Sequence, residues 1–289
     1  MGIMIDSSTR VLVQGITGTQ GSFHTRLMLD YGTKVVAGTS PQKAGLEVEG
    51  IPVYGSVRDA LAERSVDASI VFVPAAFARD AALEAISNNI GLLVVVTEMI
   101  PVHHAFQIKE AAERAGVKMV GPNTPGVITP GKSKVGIMPS HVFKPGEVGV
   151  VSRSGTLMYE IANTLSSAGV GQSTCIGVGG DRIVGLEVVD VLKLFRDDPG
   201  TKAITIIGEI GGGMEEEAAQ YITETKYPKP VVAFIAGRTA PPERRMGHAG
   251  AIITGEVGTY KNKRDALEAA GLEVAKKPSE VAETLRKVI

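Results

Sequence analysis

Short runs of β-branched and aliphatic residues alternate along the first 120 positions with longer stretches of helical periodicity. The runs are apolar at nearly every position, and they cover residues 10–14, 34–37, 69–73, 92–96 and 118–120. Strands buried on both faces have this composition, whereas strands with one face in water alternate apolar and polar residues. Helical patterns lie between several runs, for example over residues 75–88 and 102–115. The pattern therefore predicts a parallel, doubly wound α/β sheet.

A segment rich in proline and glycine follows, from Gly121 to Gly146. Proline removes a backbone donor and clashes inside a helix, so this segment excludes a long helix and indicates a boundary. Beyond it the alternation resumes, with apolar runs at 148–151, 173–178, 203–207 and 231–235 and helical patterns near Thr156, Leu186, Met214 and Pro278. We therefore predict two α/β domains, residues 1–122 and 146–289, joined by a connecting segment at residues 123–145.

Charge and composition narrow the range of partners. The 289 residues carry 30 Lys and Arg against 31 Asp and Glu, which gives no argument for nucleic acid or an anionic membrane as partner. Apolar runs such as residues 92–96 are too short to cross a bilayer, and no basic segment precedes an apolar stretch at the start, so we expect a cytoplasmic protein.

The one cysteine, Cys175, lies in a strand pattern and is expected in the core. No metal-binding cluster is visible in the sequence.

A glycine-rich turn, GITGTQG at residues 15–21, follows the first apolar run and opens a helical pattern. Backbone N–H groups and the helix dipole hold phosphates at such turns. The GxxGxxG spacing differs from the GxGxxG of dinucleotide sites, and a tight turn without any ligand is an alternative interpretation. The turn alone therefore indicates a phosphate site without naming the ligand.

The next two strand ends bear on which ligand the turn would hold. The second run has no acid for a ribose diol but leads to Lys43, which suits the 3′-phosphate of coenzyme A or the 2′-phosphate of NADP. A solvated loop lysine is the alternative. The fourth run ends in Val96, Thr97 and Glu98, at the edge where open α/β sheets bind ligands, although these residues could also be ordinary strand-end caps.

His248 has the most informative surroundings of the five histidines, in the sequence RMGHAG after the run at residues 231–235. A histidine at the carboxyl end of a strand can accept a phosphoryl group on one ring nitrogen when a carboxylate binds the other. Glu209 follows the neighbouring run at 203–207, so the two side chains could meet at one sheet edge. The alternative is a loop histidine with an unrelated surface glutamate.

A phosphorylated imidazole carries about two negative charges and needs hydrogen-bond donors. Ser154, Gly155 and Thr156 begin a helical pattern after the run at 148–151, with Ser154 as the expected N-cap, and their free N–H groups would bind phosphate. Simple helix capping is the alternative. The acids at residues 215–217 are interpreted as complements to another helix start, without a chemical role.

Five motifs in a fixed order resemble those of the succinyl-CoA synthetase (succinate–CoA ligase) α-subunit family: GITGTQG, GPNTPGVITPGKSKVGIMP, VSRSGTLMYE, IGEIGG and RMGHAGAI. The resemblance covers essentially the whole chain. It implies an N-terminal Rossmann-like CoA-binding domain followed by a flavodoxin-like α/β domain that carries a phosphohistidine.

By position, the resemblance also implies roles for individual residues. It implies His248 as the phosphorylated residue, Glu209 as its orienting carboxylate and Tyr159 near the shared substrate site. It implies coenzyme A contacts from Thr17, Gly18, Thr19, Gln20, Lys43, Val96, Thr97 and Glu98. The sequence departs from the family pattern at Thr124, where many members carry cysteine, and at Arg182 and Val184, where proline is common.

The activity implied by the resemblance is the reversible conversion of succinyl-CoA, phosphate and NDP to succinate, CoA and NTP, in the tricarboxylic acid cycle. It implies an ATP-grasp-type β subunit, in an αβ or α2β2 assembly, that holds the nucleotide with Mg²⁺. Another NDP-forming ligase, for acetate, malate or citrate, stays an alternative because the motifs do not specify the acid. A non-catalytic CoA-binding regulatory module would have no use for GEIGG and RMGHAG, and an NADP oxidoreductase is supported by the first turn and Lys43 alone.

Overall fold

The computed structural model describes residues 2–241, 243–253 and 258–289. Within these ranges the chain forms two sheets of seven strands each. The first sheet contains β1 (Arg10–Gln14), β2 (Lys34–Thr39), β3 (Glu47–Val48), β4 (Ile51–Tyr54), β5 (Ala68–Val71), β6 (Leu92–Val95) and β7 (Lys118–Val120). Its helices are α1 (Thr19–Asp30), α2 (Val57–Glu63), α3 (Ala75–Ser87) and α4 (Val102–Ala115).

The first sheet has the strand order β3-β4-β2-β1-β5-β6-β7, and every pairing in it is parallel except that of β3 with β4. Both of its faces are covered, because neighbouring positions such as Leu12 and Val13 are each fully buried. Alanines of α3 and α4, including Ala82 and Ala112, let these helices pack closely on one face. The predicted buried parallel strands and the helix at 102–115 are confirmed.

The second sheet contains β8 (Gly126–Thr129), β9 (Ser133–Gly136), β10 (Pro145–Ser152), β11 (Gln172–Gly177), β12 (Ala203–Glu209), β13 (Val231–Ala236) and β14 (Glu273–Ala275). Its helices are α5 (Gly155–Ser167), α6 (Val188–Arg196), α7 (Met214–Thr225), α8 (Tyr260–Ala269) and α9 (Val281–Arg286). The order β14-β13-β12-β10-β11-β8-β9 contains five parallel strands arranged 2-1-3-4-5, which is the flavodoxin-like order that the resemblance implied.

The Pro/Gly-rich segment contributes a hairpin that the sequence did not predict. Strands β8 and β9 pair with each other, and β8 adds antiparallel to β11 with Ile128 opposite Cys175. Gly126 has φ +99°, and a Cβ there would lie 2.1 Å from the Val135 carbonyl oxygen, so this close crossing requires glycine. Part of residues 123–145 therefore belongs to the second sheet, and the division into domains at 122 and 146 stays a prediction.

Main-chain hydrogen bonds join the two sheets near this segment. The Asn123 amide donates to the Thr97 carbonyl at 3.0 Å, and the Gly121 amide donates to the Val178 carbonyl at 3.2 Å. A further bond runs from the Gly180 amide to the Asn123 carbonyl at 3.1 Å. These bonds bring together the carboxyl ends of β6, β7 and β11, which is where α/β sheets hold their ligands. In the described part of the chain, no helix is long and apolar enough to cross a membrane.

Candidate functional site

A cleft of about 610 Å³ lies where the carboxyl ends of the two sheets meet. Most of the residues predicted to form the site line it. The first domain contributes Gln20, Val96, Thr97 and Glu98. The second domain contributes Gly155, Thr156, Tyr159 and His248.

Lys43 lies in an adjoining cavity of about 690 Å³, together with Gly15 and Ser40. The two cavities share Val73 and Pro74 as common walls, so a ligand that passes over these residues can occupy both. The larger cavity is lined by the second-strand loop, residues 39–43, where the sequence predicted a cation for a ribose phosphate. The predicted coenzyme A residues that line a cavity are therefore divided between two adjacent cavities.

Thr17, Gly18 and Thr19 lie on the turn beside these cavities. Gly15 has φ +81°, and a Cβ at Gly21 would lie 2.1 Å from the Gly15 carbonyl oxygen, so the turn closes because both residues are glycine. Gly18 is the N-cap of α1 without a side-chain cap, and it is exposed together with Thr19 and Gln20. The first-turn amides of α1 are therefore available to an anionic ligand.

His248 and Glu209 form the hydrogen-bonded pair that the sequence indicated. Nδ1 of His248 lies 2.9 Å from Oε2 and 3.0 Å from Oε1 of Glu209. Because an ionised carboxylate only accepts, Nδ1–H donates, and in the neutral ring Nε2 then carries the free lone pair. Gly180 makes room for the ring, since a Cβ there would lie 2.5 Å from Cγ of His248. The arrangement presents Nε2 as a nucleophile at the wall of the cleft.

Charged groups around His248 tune its protonation. The hydrogen bond from Nδ1 to Glu209 raises the pKa of His248, against the opposing effects of burial and of the Arg153 charge. Burial also raises the pKa of Asp181, whose Oδ1 accepts a hydrogen bond from the Asn123 side chain at 3.1 Å. The ring therefore lies among two carboxyl groups and one guanidinium group.

The start of α5 faces the same cleft. Ser154 is its N-cap, as predicted, and its Oγ accepts from the Leu157 amide at 3.4 Å. Gly155 and Thr156 line the cleft, whereas Ser154 is buried behind them. Burial raises the pKa of Tyr159 to about 12, so its hydroxyl stays a neutral hydrogen-bond donor. A phosphate in this cleft would meet the amides of the first turn of α5.

A buried ionic network stands behind Glu209, and sequence reasoning missed it. Arg153 Nη2 lies 3.6 Å from Glu209 Oε1, and Arg153 Nη1 lies 3.2 Å from Glu215 Oε1. Lys263 Nζ pairs with Glu215 and, at 2.9 Å, with Glu216. Residues 215–217 do lie in the first turn of α7, as predicted, but the side chain of Glu215 is in addition fully buried between two cations. Arg153 stands inside VSRSG, so the motif itself was the available signal.

The three residues that depart from the family pattern have identifiable contacts. Thr124 is buried, accepts from the Gly126 amide at 2.9 Å and donates to the Gly177 carbonyl, so it fastens the segment that follows β7. Arg182 is exposed and its Nε donates to the Ala249 carbonyl at 3.2 Å, beside His248. Val184 is buried.

Two further residues, Cys175 and His24, could in principle be reactive. Cys175 is confirmed as a core residue, and burial raises the pKa of its thiol well above the usual value. His24 lines the cleft and stacks on Phe72 with ring centroids 5.6 Å apart. Burial lowers the pKa of His24, which keeps this ring neutral at physiological pH. Among the residues described, no group of three or more His, Cys, Asp or Glu is placed to hold a metal ion.

Comparison with known proteins identifies both halves of the chain. The CoA binding domain family matches residues 6–99, and the CoA-ligase family matches residues 151–272. A solved ATP citrate lyase from Methanothrix soehngenii, in complex with citrate and coenzyme A, superposes with a TM-score of 0.91 at 28% identity, covering 99% of this chain and 50% of that chain. The chain thus spans half the length of that lyase chain. An acetyl-coenzyme A synthetase from Ca. Korarchaeum cryptofilum shares the fold, with a TM-score of 0.77 at 23% identity over 95% of this chain and 59% of that one.

Relatives of similar length show which family the chain belongs to. The chain is 58% identical to the succinate–CoA ligase [ADP-forming] subunit alpha of Methanothermobacter thermautotrophicus, over 98% of this chain and 96% of that protein. It is 55% identical to subunit alpha 2 of the same enzyme from Archaeoglobus fulgidus, over the full length of both. It is 54% identical to the Aquifex aeolicus subunit alpha, over 100% of this chain and 95% of that protein. The five motifs, the two domains and these relatives agree, and the chain belongs to the succinate–CoA ligase α-subunit family.

Proposed function

We propose that the chain is the α subunit of an ADP-forming succinate–CoA ligase and carries a phosphoryl group on His248. The observation that carries the proposal is the His248–Glu209 pair, with a contact of 2.9 Å, in the wall of a cleft that adjoins the Lys43 cavity. A binding module without catalysis has no need of an oriented imidazole at that place. We take succinate as the acid and ADP as the nucleotide because the relatives are named ADP-forming succinate–CoA ligases.

Coenzyme A would lie across both cavities. Its ADP end would occupy the larger one, where Lys43 suits the 3′-phosphate, and the free first-turn amides of Thr19 and Gln20, on the adjoining turn, suit the diphosphate. Its thiol end would reach the cleft between Glu98 and His248. Support comes from the shared walls of the two cavities and from the length of coenzyme A.

The chemistry would proceed in two transfers. Phosphate attacks the thioester carbonyl of succinyl-CoA, the C–S bond breaks, and coenzyme A leaves with succinyl phosphate formed. Nε2 of His248 then attacks phosphorus, the bond from phosphorus to the succinyl oxygen breaks, and succinate leaves. Glu209 accepts from Nδ1–H and stabilises the positive charge that develops on the ring, while the amides at the start of α5 stabilise the phosphoryl oxygens.

The onward transfer of the phosphoryl group from His248 to ADP needs a partner. We place the ADP and its Mg²⁺ on an ATP-grasp-type β subunit, in an αβ or α2β2 assembly, because the naming of the relatives as subunits implies a companion chain. We also propose a cytoplasmic location, which suits a fold that rests on its core and carries a single buried thiol. The proposed place in the tricarboxylic acid cycle rests on the resemblance to the succinate–CoA ligase family.

The direct test is to label the complex with [γ-³²P]ATP after co-expression with the β subunit. We expect an acid-labile, alkali-stable adduct that is absent in His248→Asn and present in His141→Asn, a matched variant whose histidine is exposed outside the cleft. Glu209→Gln should slow phosphorylation by roughly 10- to 1000-fold, the range for losing an orienting group. Wild-type complex that turns over without this adduct would overturn the proposal.

A panel of acids and a thermal-shift assay separate the alternatives. Turnover with succinate should exceed turnover with acetate, malate and citrate, and a preference for one of these would move the chain to another ligase. The melting temperature should rise with coenzyme A and stay unchanged with NADP. His248→Asn should keep the coenzyme A shift, because the histidine is not needed to hold the ADP end.

A further inference from the structure

The side chains of Lys263 and Glu215 are both fully buried, although each carries a charge. Removing an ion from water costs several kcal/mol, and the cost is offset when the geometry of its partners is good. Burial alone would raise the pKa of Glu215, but Arg153 and Lys263 together hold it below the usual value. Neither Lys263 nor Glu215 lines the cleft, and the transfer chemistry described above does not use them.

Glu215 and Arg153 contact Glu209 directly, and Lys263 is linked to it through Glu215. The Glu209 amide donates to Glu215 Oε1 at 3.1 Å, and Arg153 Nη1 donates to the Glu209 carbonyl at 3.0 Å. Arg153 also faces the carboxylate of Glu209 at 3.6 Å, and this carboxylate holds the ring of His248. The backbone of Glu209 is thus fixed on both sides by members of the network.

Resting on the proposed function, we infer that Lys263 and Glu215 are positioning residues that set the electrostatic potential at His248 through Arg153 and Glu209. Several charged and titratable groups surround the ring. Glu209 lies at the end of β12, Arg153 after β10 and Asp181 after β11. Glu98, Arg182 and Arg245 line the same cavities as His248. Arg153 forms ion pairs with both Glu209 and Glu215. Lys263, on α8, forms a second ion pair with Glu215. Neutralising Lys263 or Glu215 changes how strongly Arg153 interacts with Glu209. The electrostatic potential at His248 changes as a result.

A purely structural role would look different. Lys263 also donates to the Gly212 carbonyl at 2.9 Å, so it could act only by fastening α8 to the loop before α7. In that case loss of either residue would loosen the site and move the properties of His248 in one direction. An electrostatic role instead requires opposite directions for the two charges, because one is a cation and the other an anion.

The experiment measures the pKa of His248 by NMR of [¹³Cε1]histidine in the full chain, alone and in the complex with the β subunit. The resonance is identified by its loss in His248→Asn. We expect Lys263→Met to raise the pKa by about 0.5 to 1 unit and Glu215→Gln, which keeps the shape, to lower it by a similar amount. The double variant removes no net charge, so its pKa should return to within about 0.3 unit of the wild type.

Controls and the phosphorylation rate complete the test. Lys261→Met on the same helix and Glu224→Gln on α7 remove exposed charges and should leave the pKa unchanged. The pH profile of [γ-³²P]ATP labelling should shift in the same directions as the NMR pKa. Shifts in the same direction in both single variants, a double variant whose pKa differs from the wild type by more than about 0.3 unit, or no shift would overturn the inference. If Lys263→Met does not fold, Glu215→Gln must still lower the pKa. Failure of the proposed function would be seen separately, as absent labelling of the wild type.

Discussion

Gly180→Ala tests the close approach of the main chain to the ring of His248. A Cβ at residue 180 would lie 2.5 Å from Cγ and 2.7 Å from Nδ1 of His248, whereas ordinary carbon contacts are about 3.5 to 4 Å. The ring must therefore move by about 1 Å. It cannot move toward Glu209, because Nδ1 already lies 2.9 Å from Oε2. The contact to Glu209 would stretch to nearly 4 Å, beyond the range of a hydrogen bond.

A misplacement of about 1 Å in a reacting group costs roughly 100-fold in rate, or about 2.7 kcal/mol. The assay is rapid-quench measurement of His248 labelling from [γ-³²P]ATP in the complex with the β subunit. Gly91→Ala is the matched control, because a Cβ there has its nearest neighbour at 3.9 Å. Coenzyme A affinity should be unchanged in both variants. If Gly180→Ala becomes labelled at the wild-type rate, the argument that this glycine positions the ring is wrong.

Three other predictions follow from single contacts. Lys43→Ala should weaken coenzyme A binding by about 5- to 10-fold in calorimetry and leave 3′-dephospho-CoA unaffected; equal losses for both ligands would contradict the assignment of the phosphate. Thr124→Val leaves the buried Gly126 amide without its acceptor and should cost about 1 to 3 kcal/mol in urea denaturation, with an unchanged midpoint as the contrary result. The pKa of folded His248 lies above its ordinary value of 6.5, so its ionic contribution to stability is complete below about pH 6.5 and is lost as the pH rises through the folded value. The excess melting temperature of wild type over His248→Asn should therefore fall between pH 6 and pH 8; an excess that grows with pH would refute this.

The parallel strands were predictable because each is buried on both faces and stands out as an apolar run. The predicted run 10–14 and helix 102–115 coincide with β1 and α4. The β8–β9 hairpin escaped prediction because its glycines and prolines resemble a linker, and its position depends on pairing with β11, which is distant in sequence. Short edge strands such as β3 have two residues and leave no periodic signal.

At the site, the sequence indicated His248 and Glu209 because both follow apolar runs and stand among glycines. It gave no sign of Lys263, which is on a largely polar helix more than one hundred residues along the chain from Arg153. A buried lysine differs from a solvated one in its surroundings and not in its local sequence. Glu215 was hidden for the same reason, since three acids in a first turn normally face water.

The main-chain bonds between the sheets limit how the molecule can move. Opening the cleft by rotating one domain would break the Asn123–Thr97, Gly121–Val178 and Gly180–Asn123 bonds together and would part an apolar cluster with members in both domains. Lifting His248 disturbs instead its contact with Glu209 and the bonds that the neighbouring Ala249 and Gly250 form with Arg182 and Gly180. The two sheets are therefore expected to keep their relative positions. Transfer of a phosphoryl group from His248 to another chain, as proposed above, would instead require movement of the short segment that carries this histidine.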